Sequence, residues 1–385
     1  MTATPKVALL VETSNSYARE LLHGVRAWVS ENGPWSIRLT EQGRGAAVPT
    51  WLKGWDGDGV IARVESAQIA RELRATGLPV IDVSAALPRL VFPRVATEVE
   101  GAAKLAATHL LERGLKSFAY CGYRRAHWSR RRGAAFVAAT RAAGVRCVRF
   151  APVPGPVDEE IDAIARWLRT LRRPVGVLAS LDSRGQQVLA ACRLAGLAVP
   201  DEVAVIGVHN DELLCELCDP PLSSVRPNAL RAGYEAAALL ARAMAGKRVA
   251  VALHEVAPLG VAARQSTDLA AVGDAKIAGA VRFMRQQAAG GANVGDVLRA
   301  VPMARTALER RFKAALGTTP HAHLRKLRIE RVKELLVSTS LPVGEIAAAT
   351  GFEYPEYLSA MFRRECGVSP RDFRSMHRGK AAAQR

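Results

Sequence analysis

"VGEIAAATGFEYPEYLSAMFRRECGVSPRDFR", residues 343–374, is a compact helical unit. A short apolar helix leads to a Gly-Phe turn at Gly351-Phe352. A second helix follows, with Leu358 and Phe362 spaced i,i+4 on one face and arginines near its end. Gly367 and, three residues on, Pro370 close the unit. In this reading Ile346 and Ala347 pack inward, Gly351 makes the turn and Phe352 plugs the corner. Leu358 and Phe362 hold the second helix from behind.

The same pattern occurs once upstream, in "VGDVLRAVPMARTALERRFKAALGTTPHAHLRKLRIERVKELL" (294–336). Both copies begin Val-Gly-acid-apolar. Both carry an aromatic followed by a base on the second helix, Phe312-Lys313 and Phe362-Arg363, and the first closes with Gly317 and Pro320. Two short helices joined by a tight turn form a helix-turn-helix, whose second helix enters a major groove about 12 Å wide. Charge agrees with that reading. The chain of 385 residues has a formal charge of +18, and residues 276–385 carry 20 Lys/Arg against 9 Asp/Glu. Residues 1–275 carry 34 against 27 over more than twice the length. Arginines at the helix end would meet phosphate, leaving bases to side chains at its start.

Outward from this tail, "AARQSTDLAAVGDAKI" (262–277) lacks strand character and reads as a linker. Before it, short apolar runs alternate with amphipathic helical stretches such as 16–30, 97–113, 158–171 and 183–195. The runs are "KVALLVE" (6–12), "DGVIAR" (58–63), "LPVIDVS" (78–84), "KSFAYCG" (116–122), "VRCVRF" (145–150), "PVGVLAS" (174–180) and "EVAVIGV" (202–208). Continuous apolar strands with helical crossovers predict parallel sheets covered on both faces. Seven such units suit two doubly wound lobes better than one very wide sheet.

Other classes of function find little support. No run of 18 apolar residues suggests a membrane span. The opening "MTATPKVALLVETSNSYARE" goes straight into a strand and then acids, unlike a signal peptide, so the cytoplasm is the expected location. Six scattered cysteines fit reduced thiols. Cys215 and Cys218 form a lone CxxC, and zinc needs about four ligands; even with His209 and His254 near, no metal or cofactor is expected. No GxSxG, HExxH or P-loop occurs, and no catalytic residue is nominated.

The second unit resembles the AraC-type DNA-binding domain through Ile346-Ala347, Gly351-Phe352, Phe362, Gly367, Pro370 and Phe373-Arg374. Leu358 stands where that family usually has Phe. The resemblance implies seven helices, with a long one near 321–338 linking two recognition helices. The first would present Arg305, Thr306, Glu309 and Arg310, and the second Glu353, Pro355, Glu356, Tyr357 and Ala360. Arg363 and Arg364 are assigned to DNA at the second helix's end. The first helix, with its arginines, is expected to supply more of the guanine readout.

The front, about 6–260, is similar to the two-lobed periplasmic-binding-protein domain of LacI-type regulators. "PDEVAVIGVHNDELLCELCDPPLSSVRPN" (200–228) matches that family's strand, loop and Leu-Ser-Ser-Val crossover. Together the two halves resemble the XylR-like family. The expected fold is an α/β two-lobed periplasmic-binding-protein-like domain (type I), residues 1–262, then a linker (263–275). An all-α domain with two helix-turn-helix motifs (276–378) and a disordered tail (379–385) follow. By motif, ligand contacts fall on Tyr17, Arg19, Trp128, Arg132, Asp182, His209, Asn210 and Asp211. Each lies past a strand's C-terminal end or in the next turn, where open α/β sheets bind ligands. Singly, each also has a structural reading, a buried Trp above all.

The family usually has Asp where this chain has His209, so the effector need not be xylose: the expectation is another sugar, or a sugar acid that would suit Arg19, Arg132 and a protonated His209. Expected partners are double-stranded DNA, that small effector, a second copy of the chain in a homodimer, and RNA polymerase for an activator; no membrane is expected. The competing reading is a cytoplasmic sugar-binding protein or enzyme without regulatory DNA binding.

Overall fold

A computed structural model describes residues 4–41, 43–151, 156–268, 275–288 and 290–378. The chain divides into two compact units, Met1–Asp268 and Leu269–Arg385.

The front unit contains two six-stranded sheets. The first lobe is built by β1 (Lys6–Leu10), α1 (Ser16–Asn32), β2 (Ser36–Leu39), β3 (Gly59–Ala62), α2 (Ala67–Ala75), β4 (Val80–Asp82) and β5 (Arg94–Thr97). The chain then crosses to the second lobe. There it forms α3 (Val99–Leu111), β6 (Phe118–Cys121), α4 (His127–Ala142), β7 (Cys147–Arg149), α5 (Val157–Arg169) and β8 (Val175–Ala179). It continues with α6 (Asp182–Ala195), β9 (Val203–Val208), α7 (Glu212–Leu217) and β10 (Ser223–Arg226). It returns for α8 (Ala229–Met244) and β11 (Leu253–Val256), then crosses again for β12 (Gly260–Ala262). The strand orders are β11-β5-β4-β3-β1-β2 and β12-β10-β9-β8-β6-β7. Every pairing is parallel except β10 with β12.

All seven apolar runs contain a strand. Those with unbroken apolar sequence, β3, β6, β8 and β9, are buried at every residue because helices cover both faces; β4 is also fully buried, its Asp82 paired with Arg94 at 2.7 Å. The five strands the pattern does not announce lack such a run. The edge strand β2 is exposed throughout, and β10 reads Ser-Ser-Val-Arg. In the first lobe, α1 and α8 touch backbone to backbone. A Cβ on Gly24 would stand 1.9 Å from the Leu230 carbonyl oxygen, and one on Gly233 would stand 1.9 Å from that of Leu21.

The segment read as linker begins inside the front unit. Ser266 and Thr267 are fully buried in it. Ser266 Oγ donates to the Val205 carbonyl at 2.6 Å, and Arg113 Nε donates to the Thr267 carbonyl at 2.9 Å. Buried hydroxyls need such partners, and a polar Ser-Thr pair conceals this docking from a hydropathy reading. Residues 269–274 of the linker, and the 379–385 tail, lie outside the described residues.

The second unit is all helical: α9 (Ala275–Gln287), α10 (Val294–Ala300), α11 (Arg305–Leu316), α12 (Pro320–Ser338), α13 (Val343–Ala349), α14 (Pro355–Cys366) and α15 (Pro370–Arg378). Local signals set the ends. Asn293 and Asp296 form a capping box before α10, and prolines start α12 and α14. Gly317 and Gly367 close the two second helices with φ +67° and +76°. Two cores result, one around Leu308 and Phe312 and one around Ile346, Phe352, Leu358 and Phe362, with α12 contributing to both. Arg328 of α12 donates to the Ala292 carbonyl at 3.0 Å, and its guanidinium lies 6.0 Å from the Phe352 ring centre. The Gly351 turn, φ +70°, packs against Gly291: a Cβ at 351 would stand 2.5 Å from the Gly291 Cα. The two helix-turn-helix units are thereby held to one another.

Candidate ligand cleft and nucleic-acid interface

A cavity of about 320 Å³ opens between the C-terminal ends of the two sheets, large enough for a small ligand. Six of the expected residues line it: Tyr17 from the first lobe, and Trp128, Arg132, Asp182, His209 and Asp211 from the second. Arg19 and Asn210 do not. The Arg19 guanidinium turns back to the Thr13 carbonyl at 2.8 Å, because its helical position points outward. Asn210 Oδ1 instead accepts from Arg264 Nη1 at 2.9 Å. Glu12, Arg44, Arg63, Ser84 and Thr97 are among the other residues of the wall. Arg63 directly follows β3 and Glu12 lies two residues past β1, so the strand-end rule that nominated the others also points to them.

Two contacts cross the cleft. The Tyr17 and His209 rings stack with centroids 4.5 Å apart and planes at 18°. The Arg44 guanidinium lies 5.2 Å from the Trp128 ring centre, with Arg132 at 5.6 Å from it. Aromatic faces of this kind suit the C–H side of a sugar ring.

The charges are unevenly satisfied. Arg63 is held by Glu12 at 3.1 Å and Glu65 at 2.8 Å, and Glu65 also meets Arg44 at 3.3 Å. Asp182 accepts from Ser224 Oγ at 2.5 Å and from the Asp211 amide at 2.8 Å. Burial still pushes its carboxyl up to about 7. Arg132 is buried and donates to the Ser180 carbonyl, while its Nε has no hydrogen-bond partner among the described residues. Burial draws its pKa down. His209 is desolvated and faces Arg132, Arg63 and Arg44, which together drive its pKa well below the usual imidazole value. A protonated His209 is therefore not the form the cleft favours. The neutral ring offers one donor and one acceptor.

In the second unit, Arg305, Thr306, Glu309 and Arg310 are exposed on α11, opposite buried Leu308 and Phe312. Arg305 Nε pairs with Glu309 at 3.1 Å along the helix. On and before α14, Glu353, Glu356, Tyr357, Ala360, Arg363 and Arg364 are exposed and Pro355 is half-buried, while Leu358, Met361 and Phe362 face the core. Arg364 rests on Met361 Sδ at 2.9 Å. Tyr354, which the motif reading passed over, is 59% exposed just before α14. Each second helix thus presents a polar face, the first bearing Arg305 at its start and Arg310 midway along it.

Comparison with known proteins bears on both units. Residues 6–97 match the XylR N-terminal domain, 107–267 a periplasmic binding protein-like domain, and 297–376 a helix-turn-helix domain. The chain is 30% identical to the xylose operon regulatory protein of Escherichia coli K12 over 97% of each sequence. It is 29% identical to that of Haemophilus influenzae over 96% of this chain and 98% of the other. A solved structure described as xylose-binding transcription activator xylR aligns over 97% of this chain and 99% of its own. The TM-score is 0.63 and the identity 28%.

A two-lobed sugar-binding sensor followed by a double helix-turn-helix defines a ligand-controlled, DNA-binding transcription regulator of the AraC type. Near-complete coverage by full-length relatives makes the assignment more specific. The chain belongs to the family of xylose operon regulatory proteins.

Proposed function

We propose that this chain is a cytoplasmic, homodimeric regulator without enzymatic activity that takes a pentose of the xylose class in its cleft. The observation carrying the effector reading is the composition of the cavity. Tyr17 and Trp128 offer ring faces, Asp182 and Asp211 carboxyl groups, and buried Arg132 an unused Nε donor. The full-length relatives, named xylose operon regulatory proteins, support the same class. The ligand contacts are Tyr17, Trp128, Arg132, Asp182, His209 and Asp211. DNA contacts are Arg305, Thr306, Glu309 and Arg310 on α11, and Glu353, Pro355, Glu356, Tyr357, Arg363 and Arg364 on or beside α14. Two copies would offer four such helices to a repeated operator, and an activator would then engage RNA polymerase.

One observation favours a second effector class. Arg44, Arg63 and Arg132 surround His209, and of these only Arg132 lacks a carboxylate ion pair among the described contacts. A sugar acid would meet that cation. A thermal-shift series with D-xylose, other pentoses and the corresponding aldonic acids separates the two. A ligand at 100-fold its Kd adds about 2.7 kcal/mol of stability. A shift with D-xylose and none with the acids supports the pentose. The reverse ranking installs the acid.

A further inference from the structure

Arg264 belongs to the segment that carries the chain out of the sensor. Arg264 Nη1 donates to Asn210 Oδ1 at 2.9 Å and to the Leu222 carbonyl at 3.0 Å. Its amide donates to Ser223 Oγ at 2.7 Å. Two residues on, Ser266 Oγ accepts from the Ser223 amide at 2.8 Å, and Thr267 Oγ1 meets Ser223 Oγ at 2.7 Å and His109 Nε2 at 2.8 Å. The front unit ends at Asp268, and the helices of the DNA-binding unit begin at Ala275.

The other end of this network reaches the cleft. Asn210 follows His209, whose ring stacks on Tyr17. Both residues hold positive φ, +110° and +51°. The Asn210 amide donates to Ser224 Oγ at 2.9 Å, and that hydroxyl donates to Asp182. A continuous polar path thus runs from the cavity wall at Asp182 and His209, through Ser224 and Asn210, to Arg264 and the exit segment. A two-residue turn with positive φ at both positions has few nearby alternatives. A ligand that displaces the His209 backbone therefore also displaces the peptide that carries Asn210.

We propose that Arg264 is a positioning residue that couples the His209-Asn210 loop to segment 264–268, so that effector binding is transmitted to the DNA-binding unit through the Asn210–Arg264 hydrogen bond. The proposal rests on the function proposed above, in that an effector in this cleft controls DNA binding. It differs from a packing role for Arg264, which would alter stability without altering the response.

The test uses the full chain, a DNA fragment from upstream of its own gene, and D-xylose. DNA affinity is measured with and without sugar for wild type, Asn210→Ala, Arg264→Met and the double variant. Couplings of this kind are on the order of 5- to 150-fold in affinity. In Asn210→Ala, D-xylose should still bind, since Asn210 is outside the cavity, while the affinity ratio falls to within about twofold of one. The double variant should add nothing further, as expected when two residues act through one bond. Arg264→Lys should recover part of the ratio. A ratio in Asn210→Ala equal to wild type, or a wild-type ratio of one, overturns the proposal. Should Arg264→Met fail to fold, Asn210→Ala decides alone. Should D-xylose not bind wild type, the effector assignment fails, and hydrogen exchange on the ligand-free chain decides the relay. Asn210→Ala should speed exchange of the Ser266 and Asp268 amides, and unchanged rates overturn it.

Discussion

His209 holds a backbone conformation, φ +110°, that non-glycine residues rarely adopt. Such strain costs about 1–3 kcal/mol and persists where the surroundings enforce it. Here the His209 amide donates to the Val225 carbonyl at 3.0 Å and the ring is stacked on Tyr17. His209→Gly should therefore leave the unfolding midpoint no lower than wild type while sharply weakening effector binding; a lowered midpoint with unchanged binding would make the histidine structural. The pH response belongs to another group. Asp182, pushed up to about 7, favours its neutral form in the fold. Its ordinary pKa is about 3.9, so its contribution to stability is present below that value and is lost as pH rises toward 7. Sugar hydroxyls donate to the carboxylate, so affinity should rise from about pH 6 to about pH 8 and flatten in Asp182→Asn. His209, neutral throughout that range, should add nothing. Calorimetry at the two pH values reads both effects.

At the scale of elements, the glycine pair between α1 and α8 sets how closely the return helix lies on the first lobe. Gly233→Ala forces a methyl against the Leu21 carbonyl. Overpacking of this kind costs about 1–3 kcal/mol, which a thermal melt should register as a lowered first transition. On the DNA side, Arg310 is exposed midway along α11, and Arg364 near the end of α14. Arg310→Ala should cost about 1–3 kcal/mol at particular base pairs. Arg364→Ala should weaken all sequences evenly, and equal loss of discrimination in the two would remove the distinction. Much of this was legible. Buried strands such as Val203–Val208 announce themselves by unbroken apolar sequence, and the doubled Gly-Pro closures mark both second helices. The return path was not legible, because β10 and β12 owe their place to pairing and covered edges rather than to hydrophobic content. The site was legible only as far as strand ends allow. That rule led to Asp182 and His209, which line the cavity, whereas motif position led to Arg19, which does not and whose side chain turns back to the Thr13 carbonyl. Asn210 was missed as a structural partner because Arg264 lies 54 residues away in sequence.

For the whole molecule, the separation into two units with separate cores predicts that residues 269–385 bind DNA alone. Binding should fall steeply with salt, as release of condensed counterions requires. A fragment giving no gel shift at low salt would place DNA recognition elsewhere. Sedimentation of the full chain tests the homodimer, and a monomer both free and on DNA would rule it out. The Tyr17–His209 and Arg44–Trp128 contacts, which span the cleft, carry a temporal consequence. If a sugar enters between these pairs, they must part first, and the observed binding rate should level off at high sugar concentration, at the rate of lobe opening. The same contacts delay departure. The regulator would then average over brief fluctuations in sugar supply, and a cell would go on responding for a time after the sugar is gone.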